Sequence, residues 1–555
     1  MRFAQISLYT FSDHHGSKHK SIKDRSQNSG MPGGGLFSLV AYGAQNVNLS
    51  GNPDFTYFYK VYKKYSHFAE ESVTFAMDGT QELSIDQPIQ VRFKIQRVAD
   101  LARDVYFTFD IPDIYSKWIS TELLGATRQS QYEFRWARYL GCSIIQNIGI
   151  FIGGSKIQEF DGNYIQARAL ADLDTDAFAK WQQLVGDVPE LIDPANGIYA
   201  PYLSVPGNYI PTPGVYPSVV PDPDGGNINR PSIPARTISV PIPFWFSEST
   251  FHALPLVALQ YMECEIQITL RPISQLYRIK DASGNLVAPG FRQITTLSDI
   301  NNPAYVSNSD CPDEFIGSFL TDFGIPQPLI STWPLNPRIQ MTYVYLTDEE
   351  RKKFAIMPLQ YLIRQVTTYQ FPGLTQREIV ELYTHNPITR LLIVPRRSDT
   401  LIYRNDYANF TNWISPYAPY LPPVSAVPPF AFYSTGRVIT SAGQQEVLQT
   451  LRVLGDGNEL QEEKPISYFR RNVPWKYMSG NPTQTGLLVY PFSLYSPRDQ
   501  PDGSVNSSRI RLLQVDLNIY PLALNTNYMY DVTVYVESIN WVTISAGMGG
   551  LKYAL

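Results

Sequence analysis

The sequence is poor in the residues that most protein chemistry needs. Its 555 residues include three cysteines and six histidines, and charged residues make up only 17%. Cys142, Cys264 and Cys311 lie far apart and in no metal-ligand spacing. They exclude a disulfide framework and fit a reducing compartment. Cys142 and Cys264 fall in apolar strand contexts and are expected to be buried thiols. Beyond the first thirty residues only His67, His252 and His385 remain, widely spaced. Neither a histidine-based triad nor a metal site follows from them. There is no Gly-x-x-x-x-Gly-Lys-Ser/Thr phosphate loop and no Gly-x-Ser-x-Gly elbow. No apolar run has the length of a membrane span, and no persuasive secretory signal is present. The expectation is a protein without catalytic residues, cofactor or metal.

The charged clusters that do occur have plain readings. Glu70-Glu71 and Glu462-Glu463 are adjacent acids, and neighbours on a strand point to opposite faces, so neither pair makes a facing dyad for glycoside hydrolysis. Both are expected in solvated turns. Arg396-Arg397 and Arg470-Arg471 are expected as surface charges or intersubunit partners, of a kind that could also meet phosphate or anionic lipid. Asn48, Asn409 and Asn506 begin Asn-x-Ser/Thr triplets, which carry little meaning without a secretory route.

What the chain has in quantity is apolar surface, at 44%, with Tyr 37, Pro 43 and Gly 35. Tyrosine and phenylalanine favour strands while proline and glycine mark turns, so the expected class is all-β. The length calls for two or three domains. A net charge of -5 excludes a general nucleic-acid binder, and no specific nucleic acid is expected as partner. Residues 1–30 are the exception. Arg2, Lys18, Lys20, Lys23 and Arg25 outnumber Asp13 and Asp24 there, which reads as a flexible basic arm, as a leader, or as sequence upstream of a true start at Met31.

Along the chain, Val91–Ile95 alternates with period two, Val105–Phe109 is an aromatic strand stopped before Pro112, and Ile144–Ile152 is another, turned by Gly153-Gly154. Residues 164–186 have helical composition. Stretches 187–236 and 280–335 read as long irregular surface loops. Thr347-Asp348-Glu349-Glu350-Arg351-Lys352-Lys353 reads as a linker helix, with an N-cap candidate, acids first and bases later. The second half repeats the plan. Val240–Ser247 echoes Val489–Ser496, an alternating strand follows each about twenty residues on (263–270 and 512–519), and each copy closes with one more strand (339–346 and 531–536). Two all-β units of like order fit a pair of jelly rolls.

Near the front, Gly33-Gly34-Gly35 leads into Leu36–Gln45, then Gly51-Asn52-Pro53 and Phe55-Thr56-Tyr57-Phe58. It carries no catalytic side chain and reads as a segment that lies extended along something before entering a sheet. That segment carries a family resemblance, together with Phe134-Arg135-Trp136-Ala137-Arg138-Tyr139-Leu140-Gly141, Ile152–Ile157, Pro243-Phe244-Trp245-Phe246-Ser247, Ala253–Tyr261, Tyr343–Arg351, Tyr361-Leu362-Ile363 and the tail Ser545–Leu551. Over about 31–555 the chain resembles the major capsid proteins of nucleocytoplasmic large DNA viruses. Residues 1–30 fall outside the resemblance, and it thins after Gln365.

The resemblance implies two consecutive eight-stranded jelly-roll β-sandwiches with long surface loops and a few short helices. It implies a homotrimer of pseudo-hexagonal outline that packs against neighbouring capsomers and tiles an icosahedral virion shell, assembled in the host cytoplasm over an inner membrane. Minor capsid proteins and a penton protein are the further partners, and the N-terminal segment is expected to contact the inner membrane. The expected division is a basic arm or leader at 1–30, an extended inner-face segment at 31–53, a first jelly roll at 54–348 with loops at 187–236 and 280–335, a linker helix at 349–358, and a second jelly roll at 359–555 with a loop at 400–465. The alternatives are a minor capsid or penton component of the same virus type, or a carbohydrate-binding or carbohydrate-active β-sandwich.

Overall fold

The computed structural model describes residues 34–50, 57, 64–116, 133–197, 202–205, 208–211, 216–217, 231–280, 286–294, 304–307, 316–320, 332–413, 445–482, 486–495, 501–522 and 526–553. The basic arm at 1–30, Cys311 and the proline-rich stretch 414–432 lie outside the described residues.

Period-two sequences build two sandwiches from 67 onward. The first uses β1 (Phe68–Ala76), β2 (Ile89–Lys94), β3 (Leu101–Ile111), β4 (Ile145–Ile152), β5 (Ser155–Phe160), β6 (Arg236–Ile242), β7 (Cys264–Leu270) and β8 (Arg338–Leu346). One sheet has the order β1-β8-β3-β6 and the facing sheet β2-β7-β4-β5. The second sandwich uses β9 (Leu359–Leu374), β10 (Glu378–Leu382), β11 (Pro387–Arg397), β12 (Leu448–Gly455), β13 (Asn458–Pro465), β14 (Leu488–Pro491), β15 (Leu513–Ile519) and β16 (Tyr530–Ser545). Its sheets run β9-β16-β11-β14 and β10-β15-β12-β13. Adding eight to each strand of the first sandwich reproduces the second. This is the jelly-roll order, twice, and the echoed segments end in the sixth, seventh and eighth strands of each copy.

Alternation decides which side chains are buried. On β7, Cys264, Ile266, Ile268 and Leu270 point inward while Glu265, Gln267 and Thr269 stay half-buried. β15 does the same with Leu513, Val515 and Leu517. The apolar cores of the two sandwiches are continuous, one buried cluster running from Met77 to Ile544. Two helices follow β5: α1 (Gly162–Asp172) and α2 (Thr175–Val185), capped by the carboxylates of Asp161 and Asp174. Between the sandwiches lies α3 (Asp348–Ile356), with Asp348, Glu349 and Glu350 in its first turn and Lys353 in its last.

Several expectations need correction. Residues 34–50 are not extended: they form two seven-residue helices, Gly34–Val40 and Ala44–Ser50, because Leu36, Leu39 and Val40 recur at helical spacing. The expected loop at 400–465 is shorter at its far end, since β12 and β13 occupy its last eighteen positions less the turn at Asp456-Gly457. β13 is an exposed, charged edge strand, which hides it from a search for apolar alternation. The 280–335 stretch is not wholly irregular; it holds the strand pair Phe291–Ile294 and Ala304–Ser307, and Thr332–Pro334 pairs with Glu82–Ser84. Within 187–236 there is a hairpin of Tyr202–Val205 and Asn208–Pro211. Glu70-Glu71 and Glu462-Glu463 sit on the edge strands β1 and β13 rather than in turns. Thr347 occupies the N-cap position of α3, but its side chain makes no capping bond.

Candidate functional site

The chain's charged chemistry is concentrated where the two sandwiches meet. Asp161 accepts the Tyr164 backbone N–H at 2.7 Å and starts α1. That start sets Tyr164, Arg168 and Asp172 at four-residue spacing, one face of the helix. Opposite this face lie Arg364 on β9, Arg390 on β11 and Glu537 on β16; Arg390 and Glu537 are direct cross-strand partners. The Arg390 guanidinium donates to both carboxylate oxygens of Glu537, at 2.7 and 2.8 Å. It also binds both oxygens of Asp172, one of them at 2.8 Å. Tyr164 donates its hydroxyl to Glu537 at 2.8 Å. Arg364 flanks Glu537 at 3.5 Å, and Arg168 joins Asp172 (3.4 Å) to Glu248 (2.7 Å). Three guanidinium groups thus meet three carboxylates, and the charge closes.

Arg390 and Glu537 are essentially inaccessible to solvent. Burial alone pushes the Glu537 and Asp172 carboxyls up, but Arg390 overrides it and holds both below the usual carboxylate range. A network of this kind adds little net stability over an apolar contact. Its effect is to penalise every arrangement of the two sandwiches but one. Asp161 behaves oppositely. Burial raises it despite bonds from Tyr164 and from the Tyr535 hydroxyl at 3.0 Å.

Neutral contacts extend the seam. Gln158 donates to the Arg364 carbonyl at 2.5 Å, and Gln365 donates to the Ile157 carbonyl at 2.9 Å. These bonds join edge strand β5 to edge strand β9, so neither is left as an open template. Gly480 N–H donates to the Ala171 carbonyl at 2.9 Å, at the end of α1. Asn405 donates to the Ser274 and Tyr277 carbonyls, and Arg278 pairs with Asp406 at 3.4 Å. Asp100 fastens the linker, accepting from Leu346 N–H at 2.9 Å and from Arg351 at 2.7 and 3.2 Å.

The remaining sequence candidates do not converge. His67 and His385 are exposed and His252 is half-buried. Among the described residues no group of His, Cys, Asp and Glu could hold a metal, and no helix is long and apolar enough to cross a membrane. Cys142 and Cys264 are buried thiols. Arg396 and Arg397, expected at the surface, are buried: Arg397 is bidentate to Asp399 and stacks on Tyr528, and Arg396 lies over Phe410. Arg470 is also buried, against Glu446, while Arg471 is exposed. Asn409 is fully buried and bonded to Trp413 and Thr411, whereas Asn48 and Asn506 are exposed. A crevice on the seam beside Trp245, His252 and Tyr495 offers about 20 Å³, room for a water and not for a sugar ring. The arrangement is suited to holding shape.

Residues 56–299 match the family model described as major capsid protein N-terminus, and residues 350–550 match the model described as large eukaryotic DNA virus major capsid protein. The major capsid protein of Chrysochromulina ericina virus is 25% identical, over 94% of this chain and 100% of the relative. That of Paramecium bursaria Chlorella virus 1 is 24% identical, over 94% and 99%. Among solved structures, PBCV-1 VP54 superposes with a TM-score of 0.59 at 18% identity, covering 90% of this chain and 100% of that one. The Faustovirus major capsid protein gives 0.59 at 15% identity, covering 88% and 93%. At such identities the superpositions establish the fold.

Proposed function

This chain belongs to the major capsid protein family of large eukaryotic DNA viruses, and from that premise we propose that three copies join into a pseudo-hexagonal capsomer that tiles an icosahedral shell. Six sandwiches in a ring, two per chain, give a near-hexagonal outline that packs in a plane. The observation that carries this reading is the repeated strand order of two sandwiches locked by the Arg390, Asp172 and Glu537 seam. A hexagonal outline built from three chains requires two like walls per chain at one fixed angle. Contacts between copies would bury on the order of 2,000 Å² or more, as obligate interfaces do. The loops at 187–236 and 400–465, the second ending where β12 begins, would cap the outer face. The segment 31–53 would run along the inner face and meet minor capsid proteins or membrane, the capsomer would border neighbouring capsomers and a penton protein, and assembly would take place in the host cytoplasm.

The test is mass measurement and electron microscopy of the purified full-length chain and of a variant lacking residues 31–53. The expected result is trimers from both and shells from the full-length chain alone. A monomer, or normal shells from the shortened chain, overturns the reading. One or a few copies per vertex in purified particles would assign the chain to a penton or minor component instead.

A further inference from the structure

The charge that closes around Arg390 does not close around Arg396. The two side chains leave the same face of β11, six residues apart. Arg390 meets Asp172 at the C-terminal end of α1, and Arg396 stands toward the N-terminal end, where its charge acts on Asp161. Arg396 is only 4% exposed. Its guanidinium lies over the Phe410 ring, 4.8 Å from the centroid, and its buried Nε has no acceptor. The carboxylates around it are engaged elsewhere. Asp531, its cross-strand partner on β16, accepts the Gly373 N–H at 2.9 Å. Asp161 accepts the Tyr164 N–H and the Tyr535 hydroxyl. Asp406 pairs with Arg278 at 3.4 Å. A second cation, Arg271 of the first sandwich, stands over the Tyr407 ring at 4.6 Å, and its Nη1 reaches the Ser143 carbonyl only at 3.5 Å.

We propose that a single small anion of halide size binds at Arg396, with Arg271 as the second cation and the rings of Tyr407 and Phe410 beside it. Buried donors are almost always bonded, and one without an acceptor points to water or an ion. Water satisfies an N–H group but leaves the buried charge uncompensated, whereas an anion does both through charge-assisted bonds. The electrostatics agree with the geometry. Burial, opposed by Tyr535 and Asp161 and reinforced by Arg271, draws Arg396 below the usual guanidinium range. Accessibility limits the ligand. A nucleic acid, a lipid headgroup or a carboxylate of another protein cannot reach a side chain so deeply buried. A phosphate would bring four oxygens to a place partly walled by aromatic rings, and a halide has none to satisfy. The ion would complete, at one end of α1, the neutrality that Asp172 and Glu537 supply at the other.

The test has two arms, both on the purified full-length protein. Crystals soaked in sodium bromide are measured at the bromine absorption edge. Melting is followed as bromide replaces gluconate, an anion too large to enter, at about 100 mM total salt. Arg396→Met, which keeps the length of the side chain without its charge, supplies the baseline for general salt effects. The expected result is an anomalous peak within hydrogen-bond distance of the Arg396 guanidinium and a melting temperature that bromide raises by about 2 °C relative to that baseline. A site without a peak holds water at most and overturns the inference. So does a bromide response that Arg396→Met retains in full. A peak with no thermal response is an adventitious ion only and overturns it too. If Arg396→Met does not fold, the peak and the bromide response of the parent chain decide.

Discussion

Arg390 of the second sandwich donates to Asp172 of the first at 2.8 Å while its remaining N–H groups grip Glu537 behind it. One guanidinium therefore links the helix after β5 to the strand pair β11–β16. The link spans 218 positions of sequence. Replacing it with an apolar residue leaves two buried carboxylates without their main counter-charge.

Arg390→Met is expected to lower unfolding stability by about 3–5 kcal/mol. Arg390→Lys should recover little, because an ammonium cannot present two parallel donors to each of two carboxylates. Scanning calorimetry of the purified protein reads both, and a melting temperature unchanged in Arg390→Met contradicts the assignment of this residue as the centre of the seam.

Acid should loosen the same place. Asp172 and Glu537 are depressed in the fold. Their contribution is full above the unfolded-chain values of about 4 and is lost as pH falls through the lower folded values. Asp161 is raised and so works the other way, favouring the fold on acidification. The two carboxylates in the seam outnumber it, so the expected outcome is a net fall in melting temperature below about pH 4. In Glu537→Gln that fall should be smaller than in the parent chain.

Gly480 is fixed by closeness. A Cβ there would stand 2.3 Å from the Leu170 carbonyl oxygen and 2.5 Å from that of Ala171. Gly480→Ala is expected to destabilise the fold by about 1–3 kcal/mol, since backbone must move to admit one methyl. Denaturant titration measures it, and a neutral result would mean that this loop does not sit against α1.

The buried cysteines should be silent. Burial raises the Cys142 thiol far above its usual value and pushes Cys264 up to about 12. Native protein treated with iodoacetamide at pH 8 should carry no label on either residue by peptide mass mapping, and both should be modified after unfolding. Labelling of either in the native state contradicts its placement.

The sheets were largely legible because alternation is a local property. The Val240–Ser247 and Val489–Ser496 echo leads into β6 and β14, and the strands counted from it fall at β7, β8, β15 and β16. The edge strand β13 was hidden because Asn458–Pro465 is polar on both faces, as an unprotected edge must be. The front helices are hard to see in the sequence because a glycine-rich entry masks a short i, i+3, i+4 pattern. The seam could not be read at all. Positions 164, 168 and 172 share a four-residue spacing, but nothing in the sequence ties them to 248, 364, 390 or 537, and only the fold assembles the set. The same holds for Arg397, which looks like a surface base beside Arg396 until Asp399 and Tyr528 are seen to enclose it.

The fastening of the linker has a geometric corollary. Asp100 holds Arg351 of the linker on one side, and Arg390 bridges Asp172 of the first sandwich to Glu537 of the second on the other. A closed surface made from such stiff pieces must take all of its bending at the joints between pieces, so adjustment to a vertex or a facet edge would fall to the margins of the molecule and never to its middle.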